Sequence, residues 1–274
     1  MRIRHFVTGC LVVGIVISIC AALRAEEVSS PTLPAWGEPF SLEKDKAYTC
    51  VKATGTITID GKLDEADWAR AQTIENFMAP PKFDWIRFET LQAHRAHSRT
   101  FAKLMWDEKY LYFGAEMEDR DLYCVTKAGH DLPFNADDII ELFVKPSEEL
   151  PYYWELHVVP SGGTRDYFYA RRSAGSDARW MKYDSGMEAK VTLYGTFDNW
   201  EDRDNKWVAE MRVPWSAFDR WGGKPKVGDF WRFLVSRYDY SVHLEEGCEL
   251  SAAAPLPIQS YHIFEYYPYL KIVE

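Results

Sequence analysis

From about Tyr48 onward, apolar and polar residues alternate at every second position. Four stretches carry the pattern most clearly: TGTITID at 54–60, RTFAKLMW at 99–106, YLYFGAEME at 110–118 and KWVAEMRV at 206–213. Each is rich in β-branched or aromatic residues, which favours half-buried strands. Polar turns such as DEK at 107–109 separate neighbouring stretches, so hairpins are expected. Helical signals are short. LDEADWARA from Leu63 has Asp64 as its cap and little room to extend, and VPWSAFDRW from Val213 offers about one turn after Pro214. Many short strands with only these turns predict an all-β fold, a sandwich of two antiparallel sheets.

The N-terminal residues depart from this pattern. Arg2 and Arg4 precede an apolar run from Phe6 to Leu23, followed by small residues and an acidic stretch, which reads as an export signal over residues 1–25. The alternative for this segment is an uncleaved membrane anchor, the one route to a membrane partner. Residues 26–45 mix Pro, Ser, Gly and charge without a period and read as a linker, leaving 46–274 as the folded domain. A secreted, periplasmic or cell-envelope location follows.

Composition narrows the partners. The 274 residues are 47% hydrophobic and 15% aromatic, enough for a full core. The net charge is −10, and beyond residue 25 there are 29 basic against 42 acidic groups, so a nucleic-acid partner is not expected. Cys50, Cys124 and Cys248 lack C-x-x-C spacing. One disulfide with a spare thiol and three buried thiols both fit them. HRAH at 94–97 has the look of a metal pair, but it lies in a polar connection with no third ligand nearby in sequence, and it is assigned no role.

The stretch DDIIELFV at 137–144 plants a carboxylate, Glu141, inside an apolar strand. Ile140, Leu142 and Val144 form its core face, and Ile139, Glu141 and Phe143 point the other way. YYWELHVV at 152–159 repeats the split, with Tyr153, Glu155 and His157 outward, and RDYFYARR at 165–172 puts Arg165, Tyr167, Tyr169 and Arg171 outward. If the three pair as a meander, these residues share one sheet face of carboxylates, imidazole, guanidinium and phenol rings. Such a face suits a sugar, whose C–H faces lie on aromatic rings and whose hydroxyl rim seeks charged partners. Cross-strand ion pairs under a cover of tyrosines are the plainer reading of the same residues.

Seven segments in order then resemble carbohydrate-binding module family 9, in its stand-alone family 9-like form, over roughly residues 46–274. They are GTITIDGKLDEADW at 55–68, LMWDEKYLYFGAEMEDRD at 104–121, FNADDIIELFV at 134–144 and YYWELHVVPSGG at 152–163, with DNKWVAEMRVPWSAF at 204–218, PKVGDFWRFLVSRYDY at 225–240 and ELSAAAPLPIQSYHIFEYYPYLKI at 249–272. The resemblance implies a β-sandwich that holds a glycan or oligosaccharide between two aromatic rings. Carried over by position, Glu141 matches a glutamate that accepts sugar hydroxyls, and His157 stands where members place Arg or Gln, with Glu155 beside it. Tyr240, with Tyr238 nearby, falls where one sandwiching ring would lie. Asn135 stands at the position of the other ring, with Phe134 one place earlier. Arg171 completes the expected set from the sheet face. No cofactor is required, although the acids at 117–121 and 135–138 supply hard oxygen ligands and the resemblance admits structural calcium.

The expected function is therefore a secreted, non-catalytic glycan-binding protein that supports polysaccharide breakdown. Three other readings accompany it. A structural envelope module with a decayed sugar site follows from the Trp that Asn135 replaces. A glycoside hydrolase needs two working carboxylates, and no catalytic motif singles out a pair. A haem domain of the related DOMON type would draw on Met105, Met117, His130 or His157, none at a selective spacing.

Overall fold

The computed structural model describes residues 42–84, 87–126, 137–174, 183–219 and 222–274. The expected export signal, most of the expected linker, His130, Phe134 and Asn135 lie outside the described residues. No helix among the described residues is long and apolar enough to cross a membrane.

Fifteen strands are described. They are β1 Tyr48–Lys52, β2 Met78–Ala79, β3 Lys82–Asp84, β4 Glu89–Leu91, β5 His94–Arg95, β6 Thr100–Trp106, β7 Tyr110–Glu118, β8 Ile139–Lys145, β9 Tyr153–Val158 and β10 Thr164–Tyr169, followed by β11 Glu188–Tyr194, β12 Lys206–Pro214, β13 Phe230–Tyr240, β14 Cys248–Ala252 and β15 Tyr269–Val273. Hydrogen bonding follows the order β10-β9-β8-β13-β15-β1-β6-β7-β12-β11, with β14, β2 and β5 continuing from β13 and β3–β4 forming a separate pair. The ends of this path make two antiparallel leaves, β10-β9-β8-β13 and β6-β7-β12-β11, as the all-β sandwich requires. Their join is different in kind, because β1 runs parallel to both β15 and β6.

The main core lies between the leaves. Ile140, Leu142, Val144, Trp154, Leu156 and Phe168 from one meet Leu104, Phe113, Trp207 and Met211 from the other. The Trp154 ring sits edge-on to Phe218, just past β12, at 5.0 Å between centroids. The alternation in β8 and β9 therefore chooses the core face as expected. Met117 belongs to this core and Met105 to a separate cluster with Trp68 and Tyr112, so the two methionines of the haem reading are packing residues in different places.

TGTITID does not become a strand, despite its alternation. Carboxylates take the backbone donors that a neighbouring strand would have used. Asp67 accepts from Thr54 N and Gly55 N, Glu65 from Thr58 N, and Glu210 from Asp60 N and Gly61 N, at 2.8–3.0 Å. Glu210 also accepts from Trp68 Nε1 at 3.2 Å, which ties the turn to the short helix Ala66–Arg70. That helix begins after Glu65 rather than Asp64 and has no side-chain cap. Trp215–Phe218 forms the single helical turn anticipated after Pro214.

Gly61 explains the GK turn. Its φ is +85°, and a Cβ there would lie 2.9 Å from the backbone carbon of Val191 in β11. Both the left-handed conformation and the close approach require glycine. Gly61→Ala should lower stability by at least about 1–3 kcal/mol, the usual cost of a non-glycine residue in this conformation. Chemical denaturation of the two proteins measures it.

Candidate functional site

Strands β8, β9 and β10 form the expected meander, and their register sets the site. His157 stands opposite Glu141 on one side and Arg165 on the other, while Ser236 of β13 stands opposite Glu141. One row therefore crosses four strands: Ser236, Glu141, His157, Arg165. Tyr238 and Tyr240 follow Ser236 at the same parity. Arg165 lies over the Tyr167 ring at 4.8 Å, and Tyr167 stands edge-on to His157 at 5.6 Å.

This face was expected to be open, and it is not. Glu141, Glu155 and His157 are at most 1% exposed. The chain beyond β14 supplies Ala254, Leu256, Tyr261 and Tyr267 to a second buried cluster with Phe143, Tyr153, Tyr169 and Tyr238. The Tyr153 and Tyr169 rings stack at 4.6 Å, and Tyr153 Oη lies 2.8 Å from His262 Nδ1. Tyr261 donates to the carbonyls of Arg237 and Ser251, and Tyr267 donates to Tyr261 O at 2.6 Å, which pins this segment in place. The outward positions are thus a second interior, and its polar members must be paired there.

They pair with one another. His157 Nε2 lies 2.6 Å from Glu155 Oε1 and 3.1 Å from Glu141 Oε1, while Ser236 Oγ donates to Glu141 Oε2 at 2.5 Å. Glu141 Oε1 accepts no hydrogen bond from the described residues. Burial is the main cause that raises the Glu141 carboxyl to about 7; Glu155 adds to it, and His157 opposes it. Burial also works against a charged His157, but the two carboxylates outweigh it and raise its pKa. Glu155 moves the other way, since the charge and hydrogen bond of His157 overcome the cost of its burial. Beside this cluster is a cavity of about 230 Å³, whose walls include Phe143, Glu155, Tyr238, Gln259, Tyr261 and His262.

The other expected site residues fall as follows. Tyr238 is buried and edge-on to Tyr261 at 5.6 Å, so it is part of the cavity wall rather than an exposed ring. Tyr240 is half-buried at the end of β13, opposite Cys248 of β14. Arg171 lies outside the group, because β10 ends at Tyr169 and Arg171 is exposed in the turn that follows. Arg165 was expected on this sheet face, whereas Ser236, Tyr261 and His262 were not anticipated as site residues. The SYHIFEYYPY stretch at 260–269 advertised a second aromatic cover, but it has no strand period to show where it packs. Cys50, Cys124 and Cys248 are all free thiols.

A second charged group lies where the acidic clusters converge. Asp119, Asp138 and Asp239 each bring a carboxylate oxygen within 4.8 Å of the others, and all three are buried. Arg237 donates to Asp119 at 2.9 Å and lies 3.3 Å from Asp239. Asp138 is held by Tyr123 N and Tyr240 N at 2.9 and 2.7 Å, so the group is joined to the strand that carries Tyr240. Burial raises Asp119 to about 7 against the pull of Arg237. Three carboxylates facing one guanidinium leave a buried negative excess, which a hard divalent cation fits.

Comparison with known proteins decides the family. The model described as "Carbohydrate family 9 binding domain-like" matches residues 59–246. The chain belongs to this family. The fold agrees with solved family 9 structures. A family 9 carbohydrate-binding module from Caldicellulosiruptor kristjanssonii, in complex with cellotriose, is 15% identical with a TM-score of 0.54, covering 82% of this chain and 93% of that one. A structure of the same organism's module with glucose gives 15% and 0.51, covering 82% and 95%. A putative carbohydrate-binding protein from Bacteroides uniformis gives 13% and 0.56, covering 82% and 99%. No curated protein matches the chain. Within this family 9-like chain, Glu141 and its row are the candidate site.

The coupled groups give a pH signature. Glu141 loses its proton near 4.5 when unfolded and near 7 when folded, so between these values the folded chain holds a proton that the unfolded chain has released. Stability therefore falls as pH rises through this window. His157 acts in the same sense, its contribution being complete below 6.5 and lost as pH rises through its elevated folded value. Glu141→Gln should remove up to about 1.4 kcal/mol per pH unit from this slope. Denaturation at pH 5, 6 and 7 measures it, and parallel profiles for the two proteins would contradict the assignment.

Proposed function

We propose that this chain is an exported, non-catalytic glycan-binding module whose ligand engages the buried face around Glu141, in support of polysaccharide breakdown. One observation carries the reading. A carboxylate oxygen in the interior, Glu141 Oε1, lies 3.1 Å from His157 Nε2, but the hydrogen bond of that nitrogen goes to Glu155, so the oxygen accepts none from the described residues, and a buried acceptor of this kind seeks a donor. A sugar hydroxyl supplies it. Glu155 lines the adjoining cavity and presents an acceptor to a rim of hydroxyls, while His157 joins it to Glu141 behind the cavity wall. Tyr238 and Tyr261 offer ring surface in the same cavity wall. At about 230 Å³ the space is smaller than the roughly 300–1,000 Å³ that encloses a drug-sized ligand, so it suits a single sugar unit at a chain end. The solved relatives that hold cellotriose and glucose support the ligand class, and the apolar run after Arg2 and Arg4 supports export.

The test is retention of the chain on immobilised polysaccharides and free oligosaccharides, with Glu141→Gln run alongside and its fold checked by near-ultraviolet circular dichroism. Retention by the parent, weakened at least tenfold in the variant, is the expected outcome. A parent that retains no glycan would instead favour the scaffold reading, in which the mutual pairing of Glu141, His157 and Glu155 serves the fold alone.

Calcium is the expected occupant of the Asp119, Asp138 and Asp239 group. Bound there, it would offset the charge that Arg237 leaves uncompensated and hold the end of β13 that carries Tyr240. A ligand at 100 times its Kd stabilises a fold by about 2.7 kcal/mol. Addition of calcium to chelator-treated protein should therefore raise Tm, and Asp138→Asn should abolish the rise. An unchanged Tm on calcium addition would remove calcium from the account.

A further inference from the structure

HRAH at 94–97 acquires in three dimensions the ligand that its sequence surroundings lack. β5 pairs with β2, and β2 pairs with β14: Met78 stands between Arg95 on one side and Ala252 on the other. This ladder sets the 94–97 segment beside Glu249, some 150 positions later in the chain. His97 N donates to Glu249 Oε1 at 2.8 Å, and His97 Nδ1 is in hydrogen-bond contact with Glu249 Oε2. His94 Nδ1 lies 3.8 Å from the same oxygen, and the two imidazole rings are 5.1 Å apart at their centroids.

Each of the three residues offers one donor atom, and the three atoms lie within 4.8 Å of one another. Metal–ligand bonds of 2.0–2.2 Å in a tetrahedral site set donor atoms about 3.3 Å apart, so small side-chain shifts would close the set on an ion. Glu249 is 8% exposed, and among the described residues these two imidazoles are its ion-pair partners. His94 Nδ1 also lies 2.9 Å from Arg95 O, a contact that an ion at this nitrogen would replace. The group opens on a cavity of about 340 Å³, with His243 and Cys248 also in its wall.

We propose that His94, His97 and Glu249 form a binding site for a divalent transition-metal ion of the zinc class, with a further coordination position open to this cavity. The donor chemistry selects the class. Two imidazole nitrogens and one carboxylate suit zinc and its neighbours, whereas calcium takes six or more oxygens. The ion draws the negative charge of Glu249 and both rings into one centre and clips the 94–97 segment to β14, the neighbour of the strand that carries Tyr238 and Tyr240. The open position takes water or a small anionic or hydroxylic ligand from the cavity.

The test is titration of the whole chain with zinc after chelator treatment and desalting, read by calorimetry, with cobalt as a spectroscopic probe. One equivalent of zinc should bind with a micromolar or tighter Kd, and excess calcium should not displace it. The double variant His94→Ala/His97→Ala should bind at least tenfold more weakly. Both histidines are partly or fully exposed, so this variant should keep its fold, checked by Tm in chelator. Cobalt should give the visible absorption of a four- or five-coordinate site in the parent and lose it in the variant. Absence of saturable zinc binding, or equal affinity in the double variant, would overturn the proposal.

Discussion

The structure depends on the burial of both faces of one meander. β8, β9 and β10 give their even-numbered apolar positions to the space between the leaves, and the chain from β14 to β15 covers the opposite side. A sheet covered on both faces has no solvent for a misplaced polar group, so each carboxylate on it must find a partner or a ligand. Glu141, Glu155 and His157 answer that demand mutually, through one imidazole shared by two acids. Burial, with Glu155 adding to it and His157 opposing it, raises the Glu141 carboxyl to about 7. Perturbed groups of this kind beside a cavity are characteristic of binding sites.

The same constraint recurs at the other charged interior group. Arg237, on the core side of β13, meets Asp119 from the end of β7, Asp239, and the neighbourhood of Asp138 at the start of β8. Alternate residues of β13 thus look into two different buried polar networks: Ser236 toward Glu141, Arg237 toward the aspartates. Tyr240 links them, since its ring packs against the second cluster while its backbone N–H binds Asp138.

Much of this was legible in the sequence because period-two alternation is a local signal. The hairpin β6–β7 and strands β8, β9 and β12 fall where the alternation put them, and the parity of Glu141, Glu155 and His157 is correct. What alternation cannot report is whether the non-core face meets water or chain. Here a segment a hundred residues downstream settles it, through Tyr261 and Tyr267. The failure at TGTITID has a related cause, because carboxylates from Asp67, Glu65 and Glu210 substitute for a neighbouring strand and leave the alternation intact. Arg171 was misplaced by assuming that β10 continues for two more residues. The partner of the HRAH histidines was invisible because Glu249 reaches them only through the β5-β2-β14 ladder.

The central claim is that the buried Glu141 face receives sugar hydroxyls. Its most direct measurement is a crystal structure of the chain with an oligosaccharide that it retains. The account predicts a hydroxyl within about 3 Å of Glu141 Oε1 or Glu155, with the sugar against the Tyr238 and Tyr261 rings. Oligosaccharide density on another surface, with the Glu141 cluster closed and unchanged, would contradict it.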